Sequence, residues 1–104
     1  MTVTVEMIPR SLYRALQKMT HEPRIDVAVS IAVKELIRLR LKEVTEQRRV
    51  FETKYAMTFD EFRAKFEAEA IPDQYSYTVE SDFWDWEAAV TNEAYLLELQ
   101  GGIL

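Results

Sequence analysis

One long helical stretch, residues 26–55, most constrains what this chain can fold into. Its first half is apolar around nearly its whole circumference, at Val27, Ala28, Val29, Ile31, Ala32, Val33, Leu36, Ile37, Leu39 and Leu41. A helix with this pattern is normally buried against several neighbours. A chain of 104 residues offers few other elements to bury it. The pattern therefore predicts self-association, with a second copy of the chain as the covering partner.

The second half of the same stretch has a narrower apolar face. Apolar positions recur there at steps of four and three, at Ile37, Leu41, Val44, Arg48, Phe51 and Tyr55, and Arg48 is the one polar member. This spacing is typical of a helix that packs on one partner only. We expect that partner, too, to come from a second copy.

Composition indicates a folded chain that lies outside the membrane. Hydrophobic residues make up 48% of the sequence and aromatic residues 12%, enough to build a core. The chain has no cysteine, which excludes disulfides and thiolate metal sites. No run approaches the roughly 20 apolar residues of a membrane span, and the first residues lack the basic and apolar regions of a signal peptide. We expect a cytoplasmic protein with no membrane partner.

Charge is distributed very unevenly. Residues 1–50 contain ten Lys/Arg and six Asp/Glu, whereas residues 51–104 contain three and twelve, so the halves carry +4 and −9. Opposite charge in two halves indicates partners of opposite sign. The simpler interpretation places these charges on separate solvated helices. A third possibility is that the acidic half neutralises the basic half of its own dimer as an internal brake on DNA binding.

The first residues carry a strand signal. Residues 2–7 alternate polar and apolar side chains and include β-branched types. A lone strand must pair, and we expect it to pair with its own copy in a dimer. Pro9 then begins a short helix, and residues 20–24 break it. Asp26 is the expected N-cap of the long helix.

This order of strand, short helix, turn and apolar helix resembles the ribbon-helix-helix DNA-binding domain. The resemblance covers residues 2–45 and implies that two strands from two chains form a ribbon that enters the major groove. It implies that Thr2, Thr4 and Glu6 face the groove and that Arg10, Arg14 and Arg24 lie nearest the DNA backbone. None of the three groove-facing residues is basic. A dimeric, non-enzymatic interaction protein of the same fold, without DNA binding, is therefore the alternative.

A helical C-terminal extension follows. Thr58 and Glu61 form a capping box before a helix that reaches about residue 70, with Phe59, Phe62 and Phe66 on one stripe that we assign to the core. Residues 71–73 break the helix, and residues 75–79 alternate as a short extended segment. Ser81 or Asp82 is expected to cap a last helix that ends at Gly101 and Gly102. The expected fold class is mainly α with one N-terminal β-strand.

The last segment is both acidic and aromatic, as partner-binding surfaces often are. A basic head followed by such a tail is similar to a type II antitoxin. The resemblance implies that residues 1–50 dimerise and bind operator DNA, residues 51–71 connect, and residues 72–104 bind a ribonuclease-like toxin encoded by a neighbouring gene. The expected toxin-binding residues are Tyr75, Tyr77, Phe83, Trp84, Asp85, Trp86 and Glu87.

No catalytic constellation is recognisable in the sequence. His21 is the only histidine, and the paired carboxylates lack an adjacent histidine, lysine or cysteine to complete an acid-base set. The only two glycines stand near the C-terminus, so there is no glycine-rich phosphate loop. We expect neither an enzyme nor a bound metal or cofactor.

Overall fold

The computed structural model describes residues 8–103. Within them lie four helices: α1 is Arg10–Thr20, α2 is Ile25–Tyr55, α3 is Phe59–Glu67 and α4 is Tyr77–Ile103. The chain divides into two compact units, one ending at Arg38 and the other beginning at Leu39. The division falls inside α2. Both α3 and α4 belong to the second unit, while the functional boundaries predicted near residues 50 and 71 stay predictions.

The expected fold class is wrong in its β component. All regular structure in residues 8–103 is helical, and the expected N-terminal ribbon is not seen. Residues 2–7 of the predicted strand lie outside the described residues, while Ile8 forms a bend. A strand needs a partner to satisfy its backbone groups, and the part of the chain that the structure describes offers none. Within residues 8–103 the fold is therefore all-α.

The described part of the N-terminal unit contains a short helix and a sharp turn, as expected. The carbonyl of Pro9 accepts hydrogen bonds from the amides of Leu12 and Tyr13 at 3.0 and 3.1 Å, which starts α1. His21 ends the helix in the left-handed region, with φ of 56°. Gln17 Nε2 then donates to the Pro23 carbonyl at 2.7 Å and closes the turn. The predicted break after α1 is confirmed.

This unit leaves many apolar side chains in contact with solvent. Ala28 and Ile37 are its buried residues among those described, and α1 buries none. The exposed large apolar side chains are Leu12, Met19, Ile31, Val33 and Leu36. Exposed apolar groups of this density are typical of a surface that another molecule covers.

The C-terminal unit forms its own core around α3. Thr58 caps this helix by accepting a hydrogen bond from the Glu61 amide at 3.2 Å, which confirms Thr58 as the predicted N-cap. Phe59 and Phe62 are buried, and Phe66 packs against them, as expected for a core stripe. Both the N-cap and the core stripe could be predicted because each depends on residues that are neighbours along one helix.

Residues 75–79 are not extended, so that prediction is wrong. The Ser76 amide donates to the Asp73 carbonyl at 2.9 Å, and Ser76 Oγ accepts from the Val79 amide at 3.3 Å. This side-chain cap starts α4 at Tyr77. At the other end, α4 continues through Gly101 and Gly102, where the sequence predicted its end, to Ile103.

Trp86 lies at the centre of the C-terminal core. Its indole ring is 5.1 Å from the ring of Phe62 and 5.7 Å from those of Phe51 and Tyr55, measured between centroids. The C-terminal end of the narrow face, at Phe51 and Tyr55, therefore packs against α4 of the same chain. No helix within residues 8–103 is long and apolar enough to cross a membrane.

Candidate partner-binding surface

The first turns of α4 separate its two tryptophans. Trp86 is 0% exposed, whereas Trp84 is 64% exposed. Residues two positions apart on an α-helix project roughly 200° apart, so one ring enters the core and the other points to solvent. Of the two predicted toxin-binding tryptophans, only Trp84 is available to a partner.

Phe83 links the core to the surface. Its ring stacks on Phe66 with 4.6 Å between centroids and meets Trp84 edge-on at 5.4 Å. It also packs against Phe59 and Phe62, at 5.7 and 6.0 Å. Phe83 is half-buried, so it offers a partner little contact area. Its main contribution is to support the ring of Trp84.

The acids of α4 differ in how far they are engaged. Asp82 accepts from Lys54 Nζ at 2.5 Å and from the Tyr55 hydroxyl at 2.6 Å. Burial raises the pKa of Asp82, but these two hydrogen bonds outweigh it and leave the pKa below its usual value. Burial and the same carboxylate raise the pKa of Tyr55 well above its ordinary value. Asp82 is therefore a structural anion that holds α4 to α2.

The two acids predicted to bind a partner, Asp85 and Glu87, lie nearer to solvent than Asp82. Glu87 pairs with Arg63 at 2.6 Å, which fastens α4 to α3. Asp85 is exposed. Glu87 is thus partly neutralised within the chain, and Asp85 is the better candidate to meet a basic partner.

Two tyrosines stand close to Trp84 in the sequence and are also exposed. The side chains of Tyr75 and Tyr77 are 69% and 86% exposed. The Tyr75 hydroxyl donates to Glu69 at 2.6 Å, which fixes the ring. That hydrogen bond is the main reason why the pKa of Tyr75 is raised. Tyr75, Tyr77 and Trp84 form what we call the aromatic surface.

A small open cavity lies beside this surface. Its volume is about 240 Å³, and we call it the aromatic cavity; its lining is Phe66, Tyr75, Glu80, Phe83 and Trp84. Sequence reasoning did not assign Phe66 or Glu80 to a binding role. The spacing of Glu80 and Trp84, one helical turn apart, would have indicated that they are neighbours if residues 77–80 had been assigned to a helix.

The predicted DNA-binding residues are only partly described. Thr2, Thr4 and Glu6 lie outside the described residues. Arg10 and Arg14 are exposed on α1, four positions apart. Arg24 precedes α2 and pairs with Asp26 at 2.9 Å, and Asp26 stands in the first turn rather than at the predicted cap.

A second cavity, in the N-terminal unit, adjoins one of these arginines. Its volume is about 320 Å³, and its lining is Arg14, Gln17, Lys18, His21, Glu22 and Pro23. Within residues 8–103, no group of three His, Asp or Glu side chains is placed to hold a metal ion. His21 itself is exposed in the turn after α1.

The most developed candidate site is therefore an exposed aromatic surface with acidic neighbours. Comparison with protein-family models, with curated proteins and with solved structures finds no match to this chain. What the surface does must be argued from its own residues.

Proposed function

We propose that this chain is an antitoxin that neutralises a basic, ribonuclease-like toxin by binding it through the aromatic surface. The observation that carries the proposal is the outward position of Trp84, on a helix whose other tryptophan is fully buried. A folded chain gains no stability from leaving three large aromatic side chains in water, whereas tryptophan and tyrosine are the residues that most often anchor interfaces.

Charge supports a basic partner. The half of the chain that carries the aromatic surface has a net charge of −9. Glu80 lines the adjoining cavity, and Asp85 follows Trp84 directly. Complementary charge accelerates encounter and selects among partners. Acidic side chains here would occupy the cleft in which a ribonuclease binds RNA phosphates.

We also propose that the chain is a homodimer formed through helices of the N-terminal unit. The exposed apolar side chains of that unit, on α1 and the first part of α2, support this proposal. It needs no β-ribbon. Operator binding stays a prediction, because its groove-facing residues lie outside the described part of the chain. The alternative is a dimeric interaction protein that binds no DNA. For both functions we propose a cytoplasmic location.

The test is co-purification with the product of the neighbouring gene. Mixed samples are analysed by size exclusion with light scattering, and affinity is then measured by calorimetry. Trp84→Ala should weaken binding at least tenfold, because hot-spot residues typically contribute 2 kcal/mol or more. Tyr95→Ala is the matched control, since Tyr95 lies on the same helix and is 60% exposed. It should bind as the unaltered protein does.

Two results would contradict the proposal. One is the absence of any complex with the neighbouring gene product, and the other is a complex that Trp84→Ala leaves unchanged. Removing the whole tail is not an informative test, because α4 contributes Trp86 and Val79 to the core and its loss would unfold the C-terminal unit. Point substitutions on the exposed side avoid this difficulty.

A further inference from the structure

The aromatic cavity has the architecture of a cation cage. Four aromatic rings line it, those of Phe66, Tyr75, Phe83 and Trp84, with Phe66 and Phe83 stacked on each other and Trp84 perpendicular to Phe83. The faces of aromatic rings carry negative electrostatic potential, so several rings around one small space attract a positive group. The cavity is open to solvent, which lets a side chain enter from a partner.

Carboxylates add full negative charge to this space. Glu80 lines the cavity itself. Glu69 accepts a hydrogen bond from the Tyr75 hydroxyl at 2.6 Å, which holds that ring in place. The pKa of Tyr75 is raised first by the hydrogen bond to Glu69, and the negative charge of Glu80 adds to the shift. Tyr75 therefore lies in a negative field that Glu80 helps to create.

We propose that the aromatic cavity binds one arginine side chain of the partner, with its guanidinium between the rings and paired with Glu80. This inference rests on the proposed function, since it names the group that the aromatic surface recognises. A planar guanidinium can stack on a ring face while its edge donates two parallel hydrogen bonds to a carboxylate. An aliphatic side chain would leave Glu80 unpaired, and an anion would be repelled by it.

Size is consistent with a single side chain. The cavity volume of about 240 Å³ is near the lower end for ligand pockets and is too small for a nucleotide or a typical cofactor. Its depth is provided by Phe66 and Phe83, which pack on the core and do not need to move. The site is thus preformed, and binding a side chain there costs little reorganisation.

The first experiment titrates the intact ¹⁵N-labelled protein with methylguanidinium chloride and follows its two indole N–H signals by NMR. Trp84→Phe identifies which signal belongs to Trp84. We expect a saturable shift of the Trp84 signal and none for Trp86. N-methylurea, which is planar and neutral, should leave both signals unchanged. Methylammonium should shift the Trp84 signal with an affinity at least threefold weaker, because it cannot stack as a plane.

Substitution of the carboxylate completes the test. Glu80→Gln should weaken methylguanidinium binding about tenfold, which corresponds to about 1.4 kcal/mol. Glu98→Gln is the matched control, because Glu98 is an exposed acid on the same helix that does not line the cavity. It should change the affinity less than twofold.

The possible outcomes separate this inference from the proposed function. No shift with methylguanidinium, an equal shift with N-methylurea, or an equal affinity for methylammonium would each overturn the arginine site. Saturable binding that depends on Glu80 would support it even if Trp84→Ala left the toxin complex intact, which would count against the proposed function alone. Loss of the toxin complex in Trp84→Ala without methylguanidinium binding would leave the proposed function standing and overturn the cage.

Discussion

Trp84 and Trp86 have the same side chain and nearly the same position in the sequence, yet they should respond very differently to substitution. Trp86→Ala removes a fully buried ring and should lower the free energy of unfolding by about 3–5 kcal/mol. Trp84→Ala should change it by less than about 0.5 kcal/mol, because the ring is mostly in water. Urea unfolding followed by circular dichroism measures both values. Equal losses would contradict the assigned orientation of α4.

The indole nitrogen of Trp86 refines this prediction. Trp86 Nε1 is buried and has no hydrogen-bond partner among the described residues. Trp86→Phe keeps a ring among Phe51, Tyr55, Phe59 and Phe62 and removes the unsatisfied donor, whose burial costs about 1–3 kcal/mol. The same urea experiment should therefore show a loss for Trp86→Phe that is less than half of the loss for Trp86→Ala.

The sequence allowed the aromatic cluster to be found but not its division into core and surface. Phe83 and Trp86 share a helical stripe with Val90 that excludes Trp84, but aromatic side chains also occur on the other side of α4, so the stripe alone does not show which rings are buried. Burial is decided by which ring meets Phe62 and Phe51 from other helices. These contacts join residues far apart in the chain, and one helix's periodicity does not report them.

Arg48 shows the same limit of sequence-based prediction, in this case for a polar residue. As the one polar residue in an apolar stripe it had no explanation in the sequence. In the structure its Nε lies 3.0 Å from a carboxylate oxygen of Glu93, and it also pairs with Glu52. Thr45 donates to Glu93 at 2.8 Å. The stripe therefore contains an arginine because α4 brings a carboxylate to it.

At the scale of elements, Asp82 makes the attachment of α4 to α2 sensitive to acid. The folded pKa of Asp82 is below its ordinary value of 3.8, so the unfolded chain binds this proton more readily than the folded chain does. The stabilisation is therefore present above pH 3.8 and is lost as the pH falls through the folded pKa. Asp82→Asn should lower the free energy of unfolding by about 1–3 kcal/mol at neutral pH.

The measurement compares urea unfolding of both proteins from about pH 6 to about pH 2. The difference between them should shrink as the pH falls, because the unaltered protein loses its advantage when Asp82 is protonated. Glu98→Gln, an exposed acid near the other end of α4, should give a curve parallel to that of the unaltered protein. A difference that stays constant with pH would show that the charge of Asp82 contributes nothing.

Elements were predictable from the sequence where a local pattern determined them. The N-cap signal at Thr58 is contained within four residues, and the structure confirms the cap. The alternation at residues 75–79 was ambiguous, because Val79 also begins the helical series Val79, Phe83, Trp86 and Val90. Ser76 resolves the ambiguity by capping the helix one turn before Glu80. Short apolar alternation cannot distinguish a strand from a first helical turn.

At the scale of the whole molecule, the two compact units differ in how well they cover their own apolar residues. The C-terminal unit encloses a five-residue buried cluster centred on Trp86. The N-terminal unit leaves Met19 80% exposed and Leu36 54% exposed. The apolar circumference of residues 27–41 was recognised in the sequence. Nothing in the described residues covers all of it, so self-association remains a prediction for experiment.

Light scattering on the purified protein should give the mass of two chains. Met19→Glu and Leu36→Glu together should weaken dimerisation at least tenfold, because each places a charge where burial of an apolar side chain otherwise contributes about 1.5–3 kcal/mol. Val50→Glu is the control, since Val50 is 61% exposed on the part of α2 that belongs to the C-terminal unit. It should remain dimeric.

A dimer that persists in Met19→Glu with Leu36→Glu would place the interface elsewhere. If the unaltered protein is a monomer, a different partner must cover the exposed apolar side chains of the N-terminal unit. The aromatic surface lies in the other unit, so the outcome is also informative for function. If Met19→Glu with Leu36→Glu separates the copies while toxin binding through Trp84 is retained, dimerisation and neutralisation are carried by different parts of the chain.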